Sequence, residues 1–157
     1  MAQAGFPALA HKQDRCSAAA LAAAEQLLGR RGARLTPSRR AVLTVLLEDH
    51  TALGAYTIMD RIDWRGRRPA PAMVYRALDF LVANGLAHKI ESRKAFIACP
   101  QAGHAHKPII MICTACSQVA ECTAPAVTRA VARAARDSGF TPAQITVEVS
   151  GVCEGCR

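Results

Sequence analysis

The sequence predicts an α+β protein, with an N-terminal winged helix followed by a small C-terminal α/β domain. Three observations carry that prediction. Helical periodicity dominates residues 15–84 and then gives way to alternation in GLAHKIESRKAFIAC. Charge is concentrated early: residues 1–98 hold 15 Lys/Arg against 8 Asp/Glu, whereas residues 99–157 hold 5 against 4. The late part carries two CxxC pairs, in ICTAC and VCEGC.

The elements follow in order. Residues 15–30 read as a helix in which Leu21, Ala24, Leu27 and Leu28 share a face, with Gly29 and Gly32 near its end. Thr36-Pro37 reads as a helix start, with Thr as N-cap and Pro in the first turn. That helix is expected over about 37–49, with Val42, Leu43, Leu46 and Leu47 inward. A short helix over about 55–64 precedes WRGRRPAPA, a basic, Pro-rich loop. A further helix starts near Pro71 and ends at Asn84-Gly85, a favourable C-cap pair. Three helices with short connections fit a helix-turn-helix. The alternation that follows pauses at Glu91-Ser92-Arg93-Lys94 and resumes, which is the signature of a β-hairpin and supplies the wing. Beyond Cys99, PQAGHAHKP reads as a hinge, IIMIC, SQVAEC and ITVEVSGVC as strands, and APAVTRAVARAARDSG as a helix with its basic side chains outward. The expected organisation is residues 1–98, a hinge over 99–107, and residues 108–157.

The totals bound the function. A chain of 157 residues, 51% hydrophobic and 20% charged, is globular rather than disordered. The net charge of +8, placed mostly in the first half, points to an anionic partner for that half. No stretch reaches the roughly 18 to 20 apolar residues of a membrane span, and no secretory leader is apparent. The expected location is therefore the cytoplasm, where seven cysteines serve as thiols or metal ligands rather than disulfides. No nucleophile–base pair or substrate-cradling Gly-rich loop points to an enzyme or a small-molecule substrate.

The cysteine spacing carries the chemistry. Two CxxC turns, separated by 36 residues, can complete a tetrahedron of thiolates around one cation, the structural zinc arrangement. Such an ion would supply the staple that three strands and one helix lack. Two independent redox pairs are the alternative, making the chain a thiol-disulfide oxidoreductase, but neither pair opens a helix that would lower a thiol pKa. A second set comprises His88 and Cys99 in the hairpin, His104 and His106 in the hinge, and Glu121 eight residues after Cys113. These residues straddle the expected boundary, where a bound ion would fix one half against the other.

The run MVYRALDFLVANGLAHKIES, the hairpin, the His-bearing hinge and the paired CxxC together resemble the ferric uptake regulator family, and within it the zinc uptake regulator (Zur) branch. The resemblance covers roughly residues 20–157. It implies a dimeric, metal-dependent transcriptional repressor with a winged-helix DNA-binding domain and a C-terminal dimerisation domain, and about two zinc ions per chain. Matched position by position, it implies structural zinc on Cys113, Cys116, Cys153 and Cys156. It implies regulatory zinc on His88, Cys99, His106 and Glu121, with His104 the rival to His106. One sulfur, two imidazoles and one carboxylate suit tetrahedral zinc better than Fe(II); an iron or peroxide sensor of the same family is the alternative. Met73 stands where the family usually carries Thr or Ser, which weakens an expected phosphate contact. Cys16 and Cys122 have no assigned role, and Cys122 adjoins Glu121 as a possible competing ligand.

On a helical wheel of residues 71–84, Val74, Ala77, Leu78 and Leu81 form the buried stripe and Arg76 points nearly opposite, with Tyr75 at the edge. Arg76 is thereby offered to a major groove, where its fork can meet guanine O6 and N7. The resemblance points to the same Tyr-Arg pair. Arg39, Arg40, Arg65, Arg67 and Arg68, with Lys89, Arg93 and Lys94 in the wing, are candidates for phosphate contacts, which position a protein on duplex DNA without reading sequence.

Overall fold

A computed structural model describes residues 6, 13–48, 51–100, 102 and 108–157. The chain divides into two compact units, one of residues 7–104 and the other of residues 105–157 together with 1–6. The first runs α1 (Gln13–Arg30), α2 (Pro37–Leu47), β1 (Leu53–Gly54), α3 (Ala55–Arg61), α4 (Pro71–Ala83), β2 (Ala87–Ile90) and β3 (Ala95–Ala98). Its strands form an antiparallel sheet in the order β1-β3-β2. The expected pause between the hairpin strands is a single 3-10 turn over Glu91–Arg93 followed by Lys94 in the left-handed region. This is the winged helix.

α2 is the centre of this unit, packed against α1 on one side and α4 on the other. That explains a difference from the expected inward set: Val45 is buried together with Val42, Leu43 and Leu46, while Leu47 is only half-buried. A helix covered from two sides buries a wider arc than a one-sided wheel assigns. The core continues through Leu28, Ile58, Met59, Val74, Leu78, Leu81 and Leu86. Full burial of each such aliphatic side chain is worth about 1.5–3 kcal/mol.

Helix ends differ in legibility. α4 ends as expected: Asn84 is the C-cap, Gly85 takes φ +68°, and Leu86 N–H and Gly85 N–H donate to Leu81 O and Val82 O at 2.9 and 3.0 Å. This paired closure needs a left-handed residue, which glycine adopts without a Cβ penalty. α1 begins at Gln13 rather than 15, and α2 stops at Leu47 rather than 49. α3 stops at Arg61, not 64, because Ile62 turns extended and enters the core. Behind it, Trp64 and Arg67 exchange both backbone hydrogen bonds (3.0 and 3.2 Å) around Arg65 and Gly66, both at positive φ. This is a type I′ turn, and the Asp63 carboxylate accepts from Gly66 N–H at 2.7 Å.

The second unit runs β4 (Ile109–Cys113), β5 (Val119–Cys122), α5 (Pro125–Asp137) and β6 (Val147–Gly151), closing on a 3-10 turn at Glu154–Cys156. The sheet order is β5-β4-β6, with β5 antiparallel and β6 parallel to β4. Ile109, Ile110, Ile112, Val119 and Ala120 are buried. α5 buries no residue, and Val127 and Val131 remain exposed on it, as do Phe140, Val149 and Val152 nearby in sequence. Among the described residues no helix is long and apolar enough to cross a membrane.

Candidate metal centre and nucleic-acid interface

The C-terminal end of β4 and the end of the chain meet at the cysteines. Cys113 is the last residue of β4 and pairs with Gly151 on β6. The chain then reverses: Ser117 N–H donates to Cys113 O at 3.0 Å, with Ser117 itself at φ +62°. Cys113 N–H in turn donates to Gln118 O at 2.9 Å. Thr114 ties this turn to β6 twice, through its N–H (2.8 Å) and its hydroxyl (3.2 Å), both donating to Gly151 O. Cys153 follows two residues later, and the last turn closes through Cys156 N–H to Cys153 O at 3.0 Å.

One sulfur from each of Cys113, Cys116, Cys153 and Cys156 lies within 4.8 Å of the others. Cys116 Sγ and Cys153 Sγ are 3.8 Å apart. With metal–sulfur bonds of about 2.3 Å, a tetrahedral edge is about 3.8 Å, so the spacing suits a shared zinc ion. It far exceeds the roughly 2.05 Å of a disulfide. Cys113 Sγ also accepts from two backbone N–H groups, those of Cys116 (3.5 Å) and Cys153 (3.4 Å). These donors hold the Cys113 thiol down to about 6. Burial pushes Cys153 up, and proton sharing with Cys153 and then Cys116 pushes Cys156 up to about 12. A cluster with one ready thiolate and crowded neighbours favours a cation that neutralises it.

The second predicted set is distributed over both units. In the first, His88 on β2 faces Ile97 on β3, which places Cys99 diagonally beside it on the same face of the hairpin. A His88 ring nitrogen and Cys99 Sγ lie within 4.8 Å. Cys99 is buried, and its N–H donates to Leu86 O at 3.0 Å, which continues the ladder past the end of β3. In the second unit, Glu121 is a buried carboxylate on β5, opposite Ile110. Alternation along β5 sends the adjacent Cys122, opposite Ile109, to the other face of the sheet; it does not share Glu121's surface. His104 and His106 lie outside the described residues, as does the Cys16 side chain.

On α4, Val74, Ala77, Leu78 and Leu81 are buried, whereas Tyr75 and Arg76 are exposed, so the wheel is observed. Arg76 Nε donates to Ala72 O at 3.1 Å. Met73 is half-buried against the core. Five of the eight cations predicted for phosphate are engaged within the fold. Arg40 pairs with Glu25, Arg68 with Asp60 (2.7 Å) and Lys89 with Glu91 (2.7 Å). Arg65 lies over Trp64 at 5.9 Å, and the Arg39 guanidinium stacks on Phe80. Sequence reasoning left out Tyr56, which is 64% exposed on α3. The available signal was the Ala55, Ile58, Met59 stripe, which turns position 56 outward.

The comparisons with known proteins agree with these features. The ferric uptake regulator family matches residues 30–150. The chain is 34% identical over 137 residues to a zinc uptake regulation protein of Escherichia coli (strain K12), covering 87% of this chain and 80% of that protein. It is similar to the crystal structure of holo XcZur, with 38% identity and a TM-score of 0.78 over 87% of this chain and 95% of that one. It is also similar to a zinc uptake regulator complexed with zinc and DNA, with 32% identity and a TM-score of 0.82 over 89% and 94%.

Proposed function

The chain belongs to the ferric uptake regulator family, and from that premise we propose that it is a zinc-responsive transcriptional repressor. It binds operator DNA as a homodimer when its regulatory site is filled, and it represses genes for zinc uptake. It acts in the cytoplasm and is a regulator rather than an enzyme. The observation that carries this reading is the likeness, over nearly the whole chain, to zinc uptake regulators, one of them in complex with zinc and DNA.

Each part of the chain has a role in this reading. Cys113, Cys116, Cys153 and Cys156 would hold a structural zinc, which supplies a closed tetrahedral anchor whose binding free energy becomes folding free energy. The anchor suits a unit of three strands and one helix, because β4 and β6 both run into it. His88, Cys99, Glu121 and His106 would hold the regulatory zinc; a thiolate in that set favours zinc over Fe(II). The exposed apolar side chains Val127, Val131 and Phe140 are a face that a second copy of the chain covers. α4 enters the major groove, where Tyr75 and Arg76 read base edges.

The test is fluorescence anisotropy of the full chain on a duplex selected from a random-sequence library, with zinc and after chelation. Binding that needs zinc, with about two ions per chain of which one is easily removed, is the expected result. Equal binding with and without chelation overturns the reading, and preference for Fe(II) supports the iron-sensing alternative.

A further inference from the structure

Arg39 was expected among the phosphate contacts, yet its guanidinium is spent inside the first unit. It lies 3.3 Å from the centroid of the Phe80 ring on α4. Its Nη1 donates to Arg34 O at 2.8 Å, in the connector between α1 and α2. A second arginine acts alongside it: Arg31 Nη1 donates to Asn84 O at 3.0 Å, the C-cap of α4. Asn84 is itself tied to the helix, because its side-chain amide and its N–H both donate to Phe80 O, at 2.8 and 3.1 Å. The α1–α2 connector and the start of α2 thus grip the last turn of α4 through two planar cations.

We propose that Arg31 and Arg39 are positioning residues for the reading helix: they set the tilt of α4 and do not contact phosphate. The inference rests on the DNA-binding reading above and deepens it. Its physical basis is leverage. From Asn84 back to Arg76 is eight residues, about 12 Å at 1.5 Å per residue, so a tilt of about 10° at the gripped end moves the reading residue by about 2 Å. A groove contact tolerates displacements of only about 0.5 Å. Apolar packing of Val74, Ala77, Leu78 and Leu81 is non-directional and resists rolling poorly. A stacked guanidinium with a fixed acceptor is directional. Phe80 faces away from the buried stripe far enough to be only half-buried, so its ring offers a face that a cation can cover.

The experiment compares Arg39→Lys, Arg39→Ala, Phe80→Leu, Phe80→Tyr, Arg31→Ala and the Arg39→Lys/Phe80→Leu double variant as zinc-loaded full chains. The probes are the library-selected duplex and a random-sequence duplex. Arg39→Lys and Phe80→Leu are each expected to weaken the selected duplex by about 5-fold, with random-duplex affinity little changed. The double variant should be no weaker than either single one, because both remove the same contact. Arg31→Ala behaves likewise, and Phe80→Tyr, which keeps the ring, retains wild-type binding. The salt slope should stay constant throughout. A phosphate contact predicts the reverse: Phe80→Leu unchanged, and Arg39→Ala flattening the slope by about 0.9 per site while weakening both duplexes equally. That result overturns the proposal. An NMR readout on the free protein separates failure of the clamp from failure of the DNA-binding reading. The Arg39 δ-methylene protons should be shifted upfield by the Phe80 ring, and the shift should vanish in Phe80→Leu. Loss of selective DNA binding by the wild type with this signal present removes the DNA reading alone; absence of the signal removes the clamp.

Discussion

Replacing Arg76 by Ala tests which contact reads sequence. Arg76 stands on the exposed side of α4, opposite Val74, Ala77, Leu78 and Leu81. Of the five N–H donors of a guanidinium, the one on Nε is committed to Ala72 O. The four on Nη1 and Nη2 remain for a base, and guanine O6 and N7 require two. A bidentate contact of this kind discriminates by about 1–3 kcal/mol against the wrong base, a factor of roughly 5–150 per half-site. The bond to Ala72 O holds part of the side chain in place before DNA arrives, so less rotamer freedom is lost on binding. That places the expected loss in the upper part of the range. Two copies of α4 in a dimer double it to about 2–6 kcal/mol, since distant sites add. The assay is anisotropy on the selected duplex and on every single-base replacement of it. Wild-type protein should show one G position per half-site with a steep penalty. Arg76→Ala should flatten that position alone and leave the salt slope within about 0.3 of wild type. Unchanged base penalties would refute the reasoning, as would a slope that falls by about 0.9 per half-site, the mark of a lost phosphate contact.

Three further outcomes are expected. Cys99→Ser should keep one zinc per chain and abolish zinc-dependent operator binding, measured by metal analysis beside anisotropy. Zinc affinity of the four-cysteine cluster should fall with pH. Cys153 and Cys156 sit above the ordinary thiol range and each releases a proton on ligation, giving at least about 100-fold per pH unit; below about 6 Cys113 is protonated as well and the dependence steepens. Competition with a chromophoric chelator between pH 5.5 and 8 checks the sign, and a flat profile would show that the thiols are already ionised. Leu78→Ala, at a fully buried position, should cost about 2–5 kcal/mol, read as a lowered urea midpoint.

What could be read from the sequence was what local chemistry decides. The hairpin was legible because Glu91–Lys94 interrupts an alternation on both sides, and the end of α4 because Asn84-Gly85 offers a residue that tolerates positive φ. The cysteine cluster was legible because CxxC spacing nearly dictates two adjacent sulfurs per turn. Longer-range decisions were not. Nothing near Arg61 announces that α3 stops there; the stop depends on Ile62 finding the core and on Asp63 meeting Gly66. The burial of Val45 requires knowing that α2 is covered from both sides. The partner of Arg39 is Phe80, 41 positions later, and no periodicity links the two.

Arg39 also changes how the positive charge should be counted. Residues 1–98 carry a net +7 by composition, and the sequence offers each cation equally to phosphate. In the folded chain two guanidiniums, those of Arg39 and Arg65, lie over aromatic rings, and Arg40, Arg68 and Lys89 face Glu25, Asp60 and Glu91. All three ion pairs are exposed, and pairs of that kind are worth about 0–1 kcal/mol. Exchanging a carboxylate for a phosphate therefore costs little, and these cations stay available. The carboxylates do not leave, however; they remain beside the duplex and oppose its charge. The net +7 already subtracts these carboxylates, so DNA meets the field of that modest net charge and not of fifteen free cations. Affinity must come from placing α4 rather than from charge alone, which is where Arg31, Arg39 and the buried stripe of α4 act together.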